Sequence, residues 1–218
     1  SNAVSVSALT RHAPSAYTPE DLLAIGDPLN ESGSPALAHA KEEIKLVSSY
    51  APAAREDVIT GNAATVSAYV LSHPERFRLI HFAAHGLSNQ IRPLESAILL
   101  SPDSENSTSL YGHDIVEHKL NAELVVISSC KGAEGRIYGE GSVGLAWAFM
   151  KAGARQVIAA LWNLDDAAAA ELMKTFYDGL KSGQTPAAAL RAAKLSLMKD
   201  PNHQRPYYWA TLQVYLGS

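Results

Sequence analysis

The chain has 218 residues, of which 47% are hydrophobic and 18% are charged. This balance is typical of a folded globular domain and excludes an intrinsically disordered chain. Its 18 Lys and Arg residues and 22 Asp and Glu residues give a net charge of −4, so the basic excess of nucleic-acid-binding proteins is absent. No stretch reaches the ~18 uncharged apolar residues of a membrane-spanning helix.

Cys130 is the single cysteine of the sequence. One cysteine cannot form an internal disulfide, and the histidines lack the spacing of zinc ligands, so we expect no metal site. The single cysteine fits a reducing, cytoplasmic compartment, and the sequence shows no signal peptide. From the charge balance and the lack of a long apolar stretch we expect binding to neither nucleic acid nor membrane. Residues 1–3 (Ser-Asn-Ala) resemble the remnant of a cleaved tag. We expect residues 4–218 to form a single domain taken from a longer protein.

Apolar runs alternate with segments of helical periodicity along the chain. The predicted strands are, in order, 22–26, 57–60, 77–83, 124–128, 156–161 and 209–216. The predicted helices are 35–50, 63–72 with Asn62 as the N-cap, 142–151, 165–181 and 185–199. The polar run 102–109 predicts a surface loop. Strands with continuous apolar cores that alternate with helices indicate a mainly parallel sheet covered on both faces.

The functional site of such a sheet lies beyond the carboxyl ends of its strands. Residues at the predicted strand ends are Asp27, His85, Gly86, Cys130 and the segment 163–166. His85 precedes Cys130 by 45 residues, close to the about 50 residues that separate the two in caspases. A thiol needs a nearby base to become a nucleophilic thiolate, so His85 and Cys130 are a candidate catalytic pair. The backbone N–H groups of Gly86 and Cys130 are candidates for an oxyanion hole.

Several segments of the sequence resemble the CHAT family of caspase-like proteins. They are LIHFAAHG, LVVISSC with the glycine-rich run behind it, and EGSVGLAWAFMKAGARQVIAALWNLDD, with LLAIGDP upstream and YYWATLQVYLG downstream. The resemblance covers the chain from about residue 20 onward, with Ser128-Ser129-Cys130 where many relatives have Ser-Ala-Cys. It implies a three-layer α/β/α sandwich with a mainly parallel, caspase-like sheet.

The resemblance also implies a cysteine endopeptidase whose dyad is His85 and Cys130. It implies no metal and no organic cofactor, and a polypeptide as substrate. CHAT domains often follow tetratricopeptide repeats, so we expect a repeat domain or another regulatory protein as activator. The alternative that the sequence leaves open is a CHAT-type interaction or signalling module with negligible turnover.

Peptidases of this fold bind the side chain before the scissile bond in a pocket beside the dyad. Asp166, Asp27 and Ser128 are the candidate substrate-binding residues, and the two carboxylates would select a basic side chain. Asp166 matches by motif a position where separase-like relatives hold an arginine. Each acidic segment also has a structural interpretation: Asp165 as the N-cap of the following helix, and Asp27 as a turn former before Pro28.

Three further features have competing interpretations. His81 lies inside an apolar strand, which predicts a packed core histidine rather than a second base. The glycine-rich loop 131–141 predicts a segment that is mobile without substrate. Residues 139–144 match G-x-G-x-x-G, but about ten residues separate them from the preceding strand, so the dinucleotide-binding interpretation is disfavoured.

Overall fold

The computed structural model describes residues 2–3, 21–29, 37, 39–51, 56–89, 91–128, 141–162 and 165–217. For residues 2–3, 141–143 and 166 the description covers the backbone only. Cys130 and the glycine-rich loop up to residue 140 lie outside the described residues.

In the part of the chain that the structure describes, ten strands form two sheets. They are β1 (Asn2–Ala3), β2 (Leu22–Gly26), β3 (Glu56–Thr60), β4 (Leu79–Ala83), β5 (His85–Leu87), β6 (Ala97–Leu99), β7 (Ser109–Tyr111), β8 (Leu124–Ile127), β9 (Gln156–Ala160) and β10 (Leu212–Leu216). The large sheet has the order β1-β10-β9-β8-β4-β2-β3, and the small sheet has the order β5-β6-β7. Strands β9, β8, β4, β2 and β3 are parallel, whereas β10 runs antiparallel to β9. The mainly parallel sheet expected from the sequence is therefore present.

Seven helices accompany the strands in the described part of the chain. They are α1 (Ala40–Ser48), α2 (Val66–Leu71), α3 (Gly112–Glu117), α4 (Gly141–Ala152), α5 (Asp166–Lys181), α6 (Pro186–Leu197) and α7 (Pro206–Trp209). Short 3-10 turns occur at Gly61–Ala63, Pro74–Arg76 and Pro93–Glu95.

The two faces of the large sheet are covered by different elements. Side chains of α1, α5 and α6 pack with alternate strand residues such as Leu22, Leu79 and Val126 into one core. Side chains of α2, α3, α4 and the small sheet pack with the intervening strand residues, such as Phe82, into a second core. Because successive strand side chains point to opposite faces, strands buried on both faces read as continuous apolar runs. This arrangement is the three-layer sandwich that the sequence predicted.

The structure corrects the expected start of helix α2. The sequence predicts an N-cap at Asn62, but Asn62 lies inside the 3-10 turn Gly61–Ala63. The helix begins at Val66, and the side chain of Thr65 accepts the N–H of Ala68 at 3.0 Å. Gly61 has φ +60, so the chain turns there before a helix can start.

Other elements also differ from the sequence expectation. The small sheet and α3 were not predicted, because strands of three residues and a helix of six are too short to show a period. Trp209 ends helix α7 rather than beginning the last strand, which starts at Leu212. Residues Asn2 and Ala3, which the sequence analysis set aside as a tag remnant, pair with Tyr215 and Leu216 of β10.

Candidate functional site

The carboxyl ends of β4 and β8 lie side by side in the large sheet. Phe82 pairs with Ile127 in the register of the two strands, and the N–H of Ser128 donates to the Phe82 carbonyl at 2.9 Å. His85 comes two residues after the end of β4, and Cys130 comes three residues after the end of β8. The two segments therefore leave adjacent parallel strands at the same edge of the sheet.

His85 is a buried residue, with 2% of its surface exposed. It is the first residue of β5, where it pairs with Leu99, and the following Gly86 pairs with Ile98. The small sheet thus holds the backbone of His85 just beyond the edge of the large sheet. The contact between His85 and Cys130, and the oxyanion hole of Gly86 and Cys130, depend on a residue outside the described ones and stay predictions.

The small sheet is tied to helix α4, which follows the Cys130 segment in the chain. The turn Pro93–Glu95 joins β5 to β6 and packs against α4 at Gly144. A Cβ atom at Gly144 would overlap the carbonyl oxygen of Pro93, so only glycine permits this approach. The segment that follows His85 and the helix that follows Cys130 in the chain are therefore packed against each other.

Asp27 lies at the carboxyl end of β2, where its backbone joins neighbouring strands. Its N–H donates to the Ala83 carbonyl at 3.0 Å, and its own carbonyl accepts the N–H of Gly61 at 3.1 Å. Asp27 has φ 51, in the left-handed region, which fits its expected role as a turn former before Pro28. Its side chain is partly exposed at the edge that carries His85.

Asp165 is the N-cap of α5, since its side chain accepts the N–H of Ala168 at 3.0 Å. The helix-cap interpretation of this acidic pair is thereby confirmed for Asp165. The backbone of Asp166 begins α5, and its side chain lies outside the described part of the structure. Its predicted place in a substrate pocket stays a prediction.

A recess opens at the edge of the large sheet, between the ends of β4 and β8 and the helices α1 and α5. It is shallow, with room for about one water molecule. Its described lining consists of Leu37, His39, Ala40, Glu43, Ala83, Ser128 and Ala169. Ser128, a predicted substrate-binding residue, thus contributes to a recess, whereas Asp27 is not part of its described lining.

A buried polar network lies behind this recess. Nε2 of His81 is 3.0 Å from Oε1 of Glu43, an ion-pair distance, although the two atoms are not aligned for an ordinary hydrogen bond. Nδ1 of His81 is 2.8 Å from the hydroxyl oxygen of Tyr177. His81 is completely buried and Glu43 is 6% exposed. The expectation that His81 is a packed core histidine is confirmed.

Glu43 is the residue of this region that the sequence analysis missed. The buried positions of α1 are Ala40, Glu43, Ile44 and Val47. Their spacing of three and four residues is that of one helix face, so Glu43 occupies the apolar stripe rather than the solvent-facing side. A charged residue within an apolar stripe was the available signal.

The described residues contain one group with the spacing of a metal site, formed by Glu171, Asp200 and His203. Nδ1 of His203 lies 2.5 Å from Oδ2 of Asp200, so the imidazole itself hydrogen-bonds to the carboxylate. The N–H of Asn202 and, to a lesser extent, His203 hold the pKa of Asp200 below its ordinary value. The same ring nitrogen of His203 lies 3.7 Å from a carboxylate oxygen of Glu171.

The chain matches the family model of the CHAT domain over residues 1–218. It belongs to the CHAT family. This match confirms the resemblance that the sequence motifs indicate from about residue 20 onward. Among the described helices, none is both long and apolar enough to cross a bilayer.

Curated relatives of this CHAT domain are much longer proteins. Tetratricopeptide repeat protein 28 of Mus musculus is 35% identical over 97 residues, which are 44% of this chain and 4% of that protein. The protein of the same name from Homo sapiens is 28% identical over 146 residues, which are 66% of this chain and 5% of that protein. The chain therefore corresponds to a small part of these relatives.

Two solved structures with a similar fold are those of a cysteine proteinase. The Arg-specific cysteine proteinase gingipain R aligns with a TM-score of 0.52 at 12% identity, covering 91% of this chain and 46% of that one. A complex of the pro- and mature domains of this proteinase from Porphyromonas gingivalis aligns with a TM-score of 0.51 at 13% identity, covering 91% of this chain and 47% of that one. At this level of identity the comparison shows the fold: the CHAT domain has a caspase-like α/β/α architecture.

Proposed function

We propose that this CHAT domain is a cysteine endopeptidase whose nucleophile is Cys130 and whose general base is His85. The observation that carries the proposal is the position of His85, which is buried and comes just after β4 in the chain. Strand β4 pairs with β8, the strand that precedes Cys130. Chain segments that leave neighbouring parallel strands at one edge are where functional residues of α/β folds meet. The caspase-like fold supports the same assignment.

The reaction proposed for this pair is acyl transfer to the thiol. His85 takes the proton of Cys130, and the sulfur forms a bond to the carbonyl carbon of the peptide. The N–H groups of Gly86 and Cys130 would stabilise the oxyanion, each donor contributing about 3 kcal/mol to the transition state. The C–N bond then breaks, the leaving amine takes the proton from His85, and water hydrolyses the thioester.

We propose that substrates carry a basic residue before the scissile bond. Asp27 and Asp166 both follow carboxyl ends of the sheet in sequence, and Asp27 carries a partly exposed carboxylate there. Ser128, which lines the recess, is the third residue proposed to contact the substrate. A panel of peptides that differ only at this residue tests the preference: Arg and Lys peptides should be cleaved faster than Ala or Asp peptides, and equal rates would contradict it.

Labelling of Cys130 tests the dyad without knowledge of the substrate. An electrophilic peptide should alkylate Cys130 faster than it alkylates a free thiol, and His85→Ala should slow the reaction by about 100-fold or more. His113→Ala, which changes an exposed histidine on α3, is the matched control and should leave the rate unchanged. A Cys130 whose labelling rate is the same in the parent and the His85→Ala protein would contradict a catalytic pair.

The second candidate function is a protein-interaction module with negligible turnover. The relatives that favour it are named as tetratricopeptide repeat proteins, and this chain spans only 4 to 5% of their length. Under either function, we propose a tetratricopeptide repeat domain or a similar regulatory protein as the partner. The labelling experiment separates the two, because a module requires no activated thiol.

A further inference from the structure

We propose that Glu171, Asp200 and His203 form a binding site for a zinc ion. A carboxylate oxygen of Glu171, a carboxylate oxygen of Asp200 and a ring nitrogen of His203 all lie within 4.8 Å of one another. Ligand atoms around a zinc ion are roughly 3 to 4 Å apart, so small side-chain movements would bring all three into contact with it. None of the three belongs to the proposed catalytic pair or to the predicted substrate-binding residues, so the site is independent of the peptidase function.

Two separate segments of the chain supply the ligands. Glu171 lies on α5, and Asp200 and His203 lie between α6 and α7. Only residues 182–185 separate α5 from α6, so the two helices form a hairpin that returns the end of α6 to the first turns of α5. Because Glu171 precedes Asp200 by 29 residues, the spacing of histidines in the sequence gives no sign of this group.

The turn after α6 holds the Asp200 and His203 side chains in defined positions. Oδ1 of Asp200 accepts the backbone N–H of Asn202 at 3.0 Å and its side-chain amide at 3.3 Å. Oδ2 of Asp200 is thereby directed at Nδ1 of His203, and the His203 ring packs edge-on against Tyr208. Contacts of this kind around metal ligands orient the ligand atoms before the ion binds.

The group carries more negative charge than its neighbours balance. Nδ1 of His203 is 2.5 Å from Asp200 and 3.7 Å from Glu171, so one ring nitrogen faces two carboxylates. Within the described part of the chain, the ion pairs of both carboxylates are made to His203 alone. A single N–H can donate well to only one of them, whereas a divalent cation in its place contacts both, and the neutral ring then carries its proton on Nε2.

The ligand types favour zinc over the common hard cations. One imidazole nitrogen with two carboxylate oxygens is a ligand set that Zn²⁺ accepts, with water in the remaining position. Ca²⁺ takes six to eight oxygen ligands and Mg²⁺ prefers oxygen in octahedral geometry, so both should bind weakly. The side chains of His203, Asp200 and Glu171 are 16%, 24% and 45% exposed, which gives the ion and its water access from solvent.

A zinc ion at this position would fix a segment close to the proposed catalytic edge. Strand β9 is parallel to β8, and Trp162 follows the end of β9 by two residues. Nε1 of Trp162 donates to the carbonyl of Tyr207 in α7 at 3.0 Å, and α7 begins three residues after His203. The ion would therefore join α5 to the turn that leads into α7, at the carboxyl ends of the strands.

Zinc binding to the Cys130→Ala protein tests the site, because this variant lacks the thiol that would otherwise compete for the ion. The protein is treated with EDTA and dialysed, titrated with Zn²⁺ by calorimetry, and then melted with Zn²⁺ at about 100 times the measured dissociation constant. We expect one bound ion and a rise in Tm of about 5 °C or more. Absence of zinc binding, or an equal rise with Ca²⁺ or Mg²⁺, would overturn the proposal.

Matched variants assign the ion to these three residues. In the Cys130→Ala background, Glu171→Gln and His203→Gln should each weaken zinc binding by at least about tenfold, since even loss of a partner that orients a ligand has that effect. His73→Gln changes an exposed histidine that also contacts a carboxylate, that of Glu75 at 3.2 Å, and should bind zinc like the parent. Circular dichroism verifies folding, and the exposed Glu171 makes its variant the decisive one. Unchanged zinc affinity in folded Glu171→Gln would place the ion elsewhere and contradict the site.

Discussion

At the scale of single residues, the unusual feature of this CHAT domain is a histidine buried between two polar side chains. His81 contacts Glu43 at one ring nitrogen and Tyr177 at the other, and its ring also packs edge-on against that of Tyr177. These residues come from β4, α1 and α5, so the contacts join both helices to the sheet at the edge that carries His85. A buried group of this kind is costly to leave without its partner.

His81→Leu should lower the free energy of unfolding by about 3 kcal/mol, because it leaves the Glu43 carboxylate buried without its partner. Urea unfolding of the variant and the parent protein measures the difference. The double variant Glu43→Leu/His81→Leu removes both groups and should be less destabilised than the sum of the two single variants. Additive effects would show that the two side chains do not interact.

At the scale of secondary-structure elements, helix α2 shows why one of two possible N-cap residues begins the helix. Both Asn62 and Thr65 are residue types that cap helices well, and both precede the same apolar segment. The chain turns at Gly61, and the backbone of Thr65 bridges to Ser101, so Thr65 is held in the extended conformation that a cap requires. The start of helix α2 therefore coincides with a backbone contact between Thr65 and Ser101, which lies 36 residues further along the chain.

Thr65→Ala should destabilise the domain by about 1 kcal/mol, because the N–H of Ala68 loses its acceptor. Asn62→Ala is the matched control and should change stability by less than about 0.5 kcal/mol, since the Asn62 side chain caps no helix. Thermal or urea unfolding distinguishes the two variants. A larger loss for Asn62→Ala than for Thr65→Ala would contradict the assigned cap.

At the scale of the whole molecule, tyrosines pack in or against the cores on both faces of the large sheet. Burial raises the pKa of Tyr69, which lies in the core shared with α4, and also that of Tyr215. Burial and the neighbouring Asp178 raise the pKa of Tyr50 to about 12 at the edge of the other core. Unfolded tyrosines ionise near pH 10. Above that pH the folded state therefore holds more protons than the unfolded state.

The free energy of unfolding should fall as the pH rises above about 10, with the fully buried Tyr69 contributing up to about 1.4 kcal/mol per pH unit and the partly exposed Tyr50 contributing less, because solvent screens it. Urea unfolding between pH 8 and pH 11 measures the slope. Tyr69→Phe should reduce the slope, and it should cost little at pH 8 because the Tyr69 hydroxyl has no hydrogen-bond partner among the described residues. If the slope is unchanged in Tyr69→Phe, groups other than Tyr69 cause the loss of stability at alkaline pH.

Local patterns in the chain were enough to predict the order of the main strands and helices, since continuous apolar runs and helical spacing depend on neighbours along the chain. The predicted strand over residues 22–26 matches β2 (Leu22–Gly26), and the other main strands were found with ends shifted by one to three residues. Family motifs gave the CHAT assignment. His81 was predicted as a core residue because its surrounding strand is apolar.

The small sheet, the Thr65 cap and the recess became visible only in the tertiary structure. The pair of Glu43 and His81 is 38 residues apart in sequence, and the recess takes its lining from two strand ends and two helices. The periodicity of the sequence does not specify which face of a helix packs against which strand end. That depends on how the strands are ordered in the sheet and on which helices cover each face, because long-range packing brings distant polar groups together.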